Sequence, residues 1–223
     1  MRVALLATGG KDSVLALYHI LQQGYEVAYL ATMIPLREDS WMFHYPNIGL
    51  IDLFADAVNI PLAKAETSGV KEEEVEDLKK LIQTLDIKGV VSGAIASNYQ
   101  KERVDRICRQ LNLKSIAPLW HRDQLEILQE ILRLRFEVVI TGVYAIGFDE
   151  GWLGRRIDAS VIEDLLRLNK AYGVSIVGEG GEFETLVVDA PFYRKKIRIL
   201  KAEKVWKGQS GHYLISKAQL ENK

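Results

Sequence analysis

Short apolar runs alternate with amphipathic stretches through the first half of the chain. Residues 3–7 form a continuous apolar run of strand length. Val14, Leu17, Tyr18 and Leu21 then recur at helical spacing, and Gly24 ends that helix. Residues 27–33 predict a second strand, apolar on both faces. Ile48, Ile51, Phe54, Ala55 and Val58 mark a second helix, and 61–65 a short strand. Val75, Leu78, Ile82 and Leu85 mark a third helix with Glu72, Glu73 and Glu74 at its start, where acids suit the positive end of the helix dipole. A strand at 90–92, a helix through Val104, Ile107, Cys108 and Leu111, and a strand at 114–117 complete the series.

Apolar strands alternating with helices predict an α/β fold: a Rossmann-like parallel sheet covered by helices on both faces. Ligands of such sheets sit at the carboxyl ends of the strands. The loops to read are therefore those after Ala7, Met33 and Ser92. Pro118 marks the boundary, giving domains 1–118 and 119–223. Beyond it come a helix around 125–134, a strand at 138–143 and a helix through Val161, Leu165 and Leu168. Then 182–188, 197–205 and 212–216 read as strands with no helix between them, which predicts a smaller α+β C-terminal part. Residues 221–223 are read as frayed.

Composition narrows the classes. The 223 residues are 48% hydrophobic and 26% charged, which excludes a disordered chain. Lys plus Arg number 29 against 30 for Asp plus Glu, so no global positive field draws nucleic acid, and no direct nucleic-acid partner is expected. The single cysteine, Cys108, lies on an apolar helical stripe and reads as core. The apolar N-terminal run is too short for a signal segment, and no apolar run is long enough to span a membrane. A soluble cytoplasmic protein is expected, with self-association left open.

The chemistry begins at Thr8-Gly9-Gly10-Lys11-Asp12-Ser13, between a buried strand and an amphipathic helix. Two glycines let the backbone turn tightly and approach an anion. The helix N-terminus adds unpaired N–H groups, Lys11 a full charge and Ser13 a hydroxyl. Asp12 is odd beside an anion; it either caps the helix or holds Mg2+ against phosphates. The spacing is neither that of a Walker loop nor of a Gly-x-Gly-x-x-Gly dinucleotide loop.

At these residues the chain resembles the PP-loop (N-type) ATP pyrophosphatases, with their adenine nucleotide alpha-hydrolase-like fold. Thr8 stands where that family usually has serine, which keeps the hydroxyl. The resemblance implies a loop that grips the β,γ-pyrophosphate of ATP and cleavage to AMP and pyrophosphate. It also places the adenine near Ala31, Thr32 and Met33; the plain alternative for Met33 is core packing.

Three further stretches narrow the match: residues 33–44, residues 92–100 with Arg103, and Gly178-Glu179-Gly180-Gly181-Glu182-Phe183-Glu184-Thr185. With Pro118-Leu119-Trp120 they resemble the diphthine–ammonia ligase family over nearly the whole chain. The resemblance implies an ATP-dependent ligase for the last part of diphthamide synthesis. The diphthine carboxylate of translation elongation factor 2 is adenylated, and ammonia then displaces AMP. It implies ATP and Mg2+ as cofactors, and substrate contacts along Glu179, Gly180, Gly181, Phe183 and Thr185.

Other residues are read on their own chemistry. Gly93, followed by Ala94, lets the backbone come close to a nucleotide or simply turns the chain. Tyr99 and Arg103 share a helix face, so Arg103 can reach a phosphate or remain a solvated charge. Alternation puts Glu182 and Glu184 on one strand face. Paired acids there need a compensating charge: the trimethylammonium group of diphthine, ammonium awaiting deprotonation, or Mg2+. Tyr144, Phe148 and Trp152 are aromatic candidates for a quaternary ammonium. His44 falls in a loop at the ligand edge, whereas His19 and His212 lack a metal partner at suitable spacing. One core cysteine argues against tRNA thiolation, and no glutaminase nucleophile is seen, so free ammonia is the simpler nitrogen source. A non-catalytic nucleotide sensor is the rival from another class.

Overall fold

A computed structural model describes residues 1–35, 47–68 and 72–223. Contacts divide the chain into two compact units, residues 1–8 with 12–120 and residues 9–11 with 121–223.

In the first unit β1 (Arg2–Leu6), β2 (Glu26–Pro35), β3 (Leu62–Thr67), β4 (Gly89–Val91) and β5 (Lys114–Ile116) form one parallel sheet in the order β3-β2-β1-β4-β5. Helices α1 (Lys11–Gln22), α2 (Ile51–Val58), α3 (Glu73–Gln83) and α4 (Asn98–Gln110) connect the strands. The expected parallel α/β sheet is present. β1 is central and fully buried at Val3, Ala4 and Leu5, which is why it shows no polar alternation. Strand order reverses between β1 and β4, so the loops after these two strands flank the switch point where such sheets bind ligands.

Ala31 and Met33 of β2 pack with Val75, Leu78 and Ile82 of α3 and with Val104, Ile107 and Cys108 of α4. The cysteine is core, as its stripe indicated. Ser97 caps α4 by accepting the Gln100 N–H at 3.3 Å, a contact of the kind that contributes about 1 kcal/mol. The third helix stops short of Leu85, which packs against the same core from the following turn.

The second unit holds α5 (Gln124–Arg133), β6 (Glu137–Val143), α6 (Ala159–Tyr172), β7 (Phe183–Asp189), β8 (Lys195–Lys207) and β9 (Ser210–Asn222). Its four-stranded antiparallel sheet runs β7-β6-β9-β8, matching the α+β expectation. Asp123 and Asp158 cap α5 and α6 through the N–H groups of Glu126 and Val161, both at 2.9 Å, and Gly173 ends α6 in the left-handed region.

One expectation is corrected here. Residues 221–223 are not frayed: β9 stays in register with β8 as far as Asn222 opposite Lys195. Lys223 donates to the Ala190 carbonyl at 2.5 Å and ion-pairs with Asp189. The polar ribbon is held by its ladder and these end contacts, so hydrophobicity alone under-reads its length. Among the described residues no helix is long and apolar enough to cross a membrane.

Candidate functional site

The loop leaving β1 turns at Gly9, whose φ of 77° is costly for any residue with a Cβ. Ala7 N–H donates to the Ala31 carbonyl at 2.9 Å, tying the loop to β2. Helix α1 then opens at Lys11, so Lys11, Asp12 and Ser13 are its first turn. Thr8 N–H donates to Ser13 Oγ at 3.4 Å, and the two hydroxyls lie at the same separation. A threonine in place of serine therefore keeps the hydroxyl partner.

From the neighbouring loop, Gly93 packs against this turn. A Cβ on Gly93 would lie 2.8 Å from the backbone carbon of Asp12 and the backbone nitrogen of Ser13. The close approach read from the sequence is thus to the first turn of α1. Ala94 beside it is buried. Thr32, within the carboxyl half of β2, and Ser92, directly after β4, have buried hydroxyl oxygens that find no hydrogen-bond partner among the described residues. Buried hydroxyls in that state call for a ligand or water. Thr32 is among the residues expected at the nucleotide; Ser92 is not, though its place directly after β4 at the switch point is the signal that finds it. The Met33 side chain is fully buried in the sheet core, which leaves only its main chain to meet a nucleotide.

Gly9, Gly10 and Lys11 group with the second unit, along the outer edge of β7. The Gly9 carbonyl accepts the Val187 N–H at 2.9 Å, and Lys11 N–H donates to Thr185 Oγ1 at 3.1 Å. The Lys11 ammonium donates to the Val177 carbonyl and stands 5.2 Å from the centre of the Phe183 ring. An ammonium carries three donors in a rotatable array, and here a carbonyl and an aromatic face hold it in a side chain only 2% exposed. Two residues of the glycine–glutamate motif, Phe183 and Thr185, thus fix the lysine of the glycine turn.

The rest of the motif folds otherwise than alternation predicts. Gly178 and Gly181 take φ of 72° and 82°, and Gly181 N–H donates to the Gly178 carbonyl at 3.0 Å. This turn brings the Glu182 carboxylate back onto its own loop. It accepts the Ser175 N–H at 2.9 Å and the Gly180 N–H at 2.8 Å, while Glu179 N–H donates to Ser175 Oγ. β7 begins only at Phe183. The expected pair of carboxylates on one strand face is therefore corrected: Glu182 closes the loop, and Glu184 alone stands in the strand. Glu184 meets the Tyr144 hydroxyl, which burial first and this carboxylate second push well above the usual phenol range. Alternation places Glu184 on the face opposite Phe183 and Thr185, so it does not collapse onto Lys11.

Of the three aromatic candidates, Phe148 and Trp152 are core. Their rings meet edge to face at 4.8 Å, and Phe148 also touches Phe183. Tyr144 differs in that its hydroxyl has the polar partners Glu184 and His212.

On α4 the Arg103 guanidinium lies 3.4 Å from the centre of the Tyr99 ring and donates to Glu72 at 2.8 Å. Arg106 holds the same carboxylate at 3.1 Å. Arg106 and then Arg103 lower the Glu72 carboxyl below its ordinary range, and burial raises the Tyr99 hydroxyl. Arg103 is thus not a solvated charge; it is paired with Glu72, which the sequence reading did not connect to it. His44 lies outside the described residues.

The set of donors around the turn fits Mg2+ only as a partner of phosphates. Mg2+ keeps several waters and binds through one or two carboxylates plus phosphate oxygens. Asp12 supplies one such carboxylate, and no group of three or more His, Cys, Asp or Glu among the described residues could hold a metal by itself.

A parallel sheet with its switch point at β1 and β4, and a Gly-Gly-Lys-Asp-Ser turn opening the first helix there, define a Rossmann-like α/β protein with a glycine-rich turn at its ligand edge. The chain belongs to the diphthamide synthase family: the family's N-terminal domain matches residues 1–115 and its C-terminal domain residues 123–220. It is 36% identical to the diphthine–ammonia ligase of Bos taurus over 92% of this chain and 85% of that protein. The human diphthine–ammonia ligase is 35% identical over the same shares. That of Schizosaccharomyces pombe is 35% identical over the full length of this chain and 40% of its own.

Proposed function

We propose that the protein is a diphthine–ammonia ligase that adenylates the diphthine carboxylate of translation elongation factor 2 with ATP and Mg2+, then joins it to ammonia in the cytoplasm. One observation carries the reading. Phe183 and Thr185, from the motif that distinguishes this family, hold the lysine of the phosphate-type turn.

In the first step a carboxylate oxygen attacks the α-phosphorus, the bond to the β-phosphate bridge breaks, and pyrophosphate leaves with the electron pair. Charge grows on the pyrophosphate. We assign to it the Lys11 ammonium, the N–H groups of Gly9, Gly10, Asp12 and Ser13 and the Thr8 and Ser13 hydroxyls; such preorganised donors are a large catalytic term. Asp12 would hold Mg2+ on the phosphates, where the ion would neutralise part of their charge. The adenine lies against the main chain of Ala31, Thr32 and Met33 and against Gly93 and Ala94, with Thr32 and Ser92 offering hydroxyls. In the second step ammonia attacks the acyl carbon, AMP leaves, and the nitrogen gives up protons to become the neutral amide. Glu184 accepts the first of these from ammonium.

Residues 1–118 bind ATP, and 119–223 receive the protein substrate. Residues 179–185 line its path, with Glu182 keeping that loop closed. Arg103 is assigned to the nucleotide phosphates, and Tyr99 and His44 to the substrate.

The test mixes the protein with ATP, Mg2+, ammonium and diphthine-bearing factor, following nucleotide products and the mass of the factor. AMP together with a new amide is expected. ADP in place of AMP overturns the reading, and ATP binding without pyrophosphate release favours a nucleotide sensor.

A further inference from the structure

Tyr144 follows β6, and its ring folds back over Gly142. A Cβ on Gly142 would lie 2.3 Å from Tyr144 Oη, so only glycine leaves room for the hydroxyl. Gly142 is also the β6 residue that pairs with Glu184 on β7 and with His212 on β9. One row across three strands thus reads Glu184, Gly142, His212, with the phenol laid over its centre. Tyr144 Oη is 3.2 Å from His212 Nδ1, and the two rings meet edge to face at 5.3 Å. On the outer side of His212 the opposite residue of β8 is Val205, which carries no charge.

The direction of the hydrogens follows from chemistry. An ionised carboxylate only accepts, so the single phenol hydrogen goes to Glu184. The phenol oxygen can then only accept from His212, which puts a hydrogen on Nδ1. The elevated phenol, held neutral by burial and by Glu184, agrees with a donor in that place.

We propose that Tyr144 and His212 are positioning residues for Glu184 in the ammonia step, forming a donor chain from His212 Nδ1–H through the Tyr144 hydroxyl to the carboxylate. The phenol pins one carboxylate oxygen, and the other takes a proton from ammonium. The nitrogen lone pair so released forms the bond to the acyl carbon. The carbon–oxygen bond to AMP breaks with its electron pair on AMP, and the second proton leaves the nitrogen for water. The inference rests on the ligase reading above.

The test measures the KM for ammonium and the KM for ATP in separate titrations. Tyr144→Phe removes only the hydroxyl. It raises the KM for ammonium about tenfold and leaves the KM for ATP within about twofold, the scale of losing a hydrogen bond to a charged group. His212→Asn places an amide N–H near the position of Nδ1 and stays within about twofold for ammonium, whereas His212→Leu follows Tyr144→Phe. The double variant Tyr144→Phe/His212→Leu is no worse than the first single variant, because one chain is broken once. An ammonium KM that ignores Tyr144→Phe, or equal effects of Asn and Leu at 212, overturns the inference; the second comparison decides if the first variant does not fold. In the substrate-free protein, 15N NMR of His212 shows hydrogen on Nδ1, and an Nε2–H tautomer overturns the chain by itself. Failure of the ligase reading is separate, since it shows in the unsubstituted protein as ATP turnover without amide.

Discussion

Lys11 donates its ammonium to the main-chain carbonyl of Val177, 166 residues further along the chain. The first residue of α1 is thereby held from the loop that leads into the glycine–glutamate motif. On the proposed reading, a cation held in this way would meet charge growing on pyrophosphate with little reorganisation.

Lys11→Ala is expected to slow pyrophosphate release by about a hundredfold or more, the scale of losing one preorganised donor. Lys11→Arg does not restore it. A planar fork of five donors has no match to a single carbonyl beside the Phe183 ring. Single-turnover pyrophosphate release measures both, and an active arginine variant would show that charge alone suffices.

Gly93→Ala pushes a methyl group into the first turn of α1, at 2.8 Å from backbone atoms that cannot rotate away. Overpacking of this kind costs about 1–3 kcal/mol. Because the displaced turn carries Asp12 and Ser13, ATP affinity falls together with stability. Calorimetric ATP titration beside a thermal melt checks this; a stable variant with unchanged ATP affinity contradicts it.

Glu182 and Glu184 separate by substitution. Glu182→Gln replaces an acceptor of two backbone N–H groups by an amide that faces one of them with its own donors. The expected loss is about 1–3 kcal/mol, seen as a lower denaturation midpoint. Glu184→Gln leaves the loop closed and acts on the ammonia step, so its melt matches the parent while amide formation drops. The reverse pattern would exchange the two roles.

Cys108 reports unfolding. Burial raises its thiol to about 11, so the folded protein resists thiol reagents at pH 8 and reacts on denaturation. The sign of the linkage follows: a thiol harder to ionise when folded leaves stability intact below the ordinary thiol range of about 8.5 and removes it as pH climbs toward 11. Denaturant midpoints between pH 8 and 11 should fall, and a flat profile would place the thiol in contact with water.

Much of this architecture is legible in the chain because burial is written locally. Val3, Ala4 and Leu5 are apolar because β1 is covered on both faces, and Val104, Ile107 and Cys108 recur at helical spacing because α4 turns one stripe to the sheet. The glycine turn is legible for a similar reason: a left-handed Gly9 and a helix start are properties of neighbouring residues. Glu182 misled because alternation assumes that a strand has already begun. The left-handed turns at Gly178 and Gly181 delay it by one residue and return the carboxylate to its loop.

The succession of strands and helices along the chain and the residue types of the glycine turn were determined by the amino-acid sequence alone, through periodicities a few residues long. Tertiary structure decided the partners. Tyr144 meets His212 because β6 runs between β7 and β9, Arg103 meets Glu72 through the packing of α3 and α4, and Lys11 meets Val177 through the edge of β7. A local pattern states which side chains must be buried; which distant group receives each donor is settled only when non-neighbouring segments are brought together.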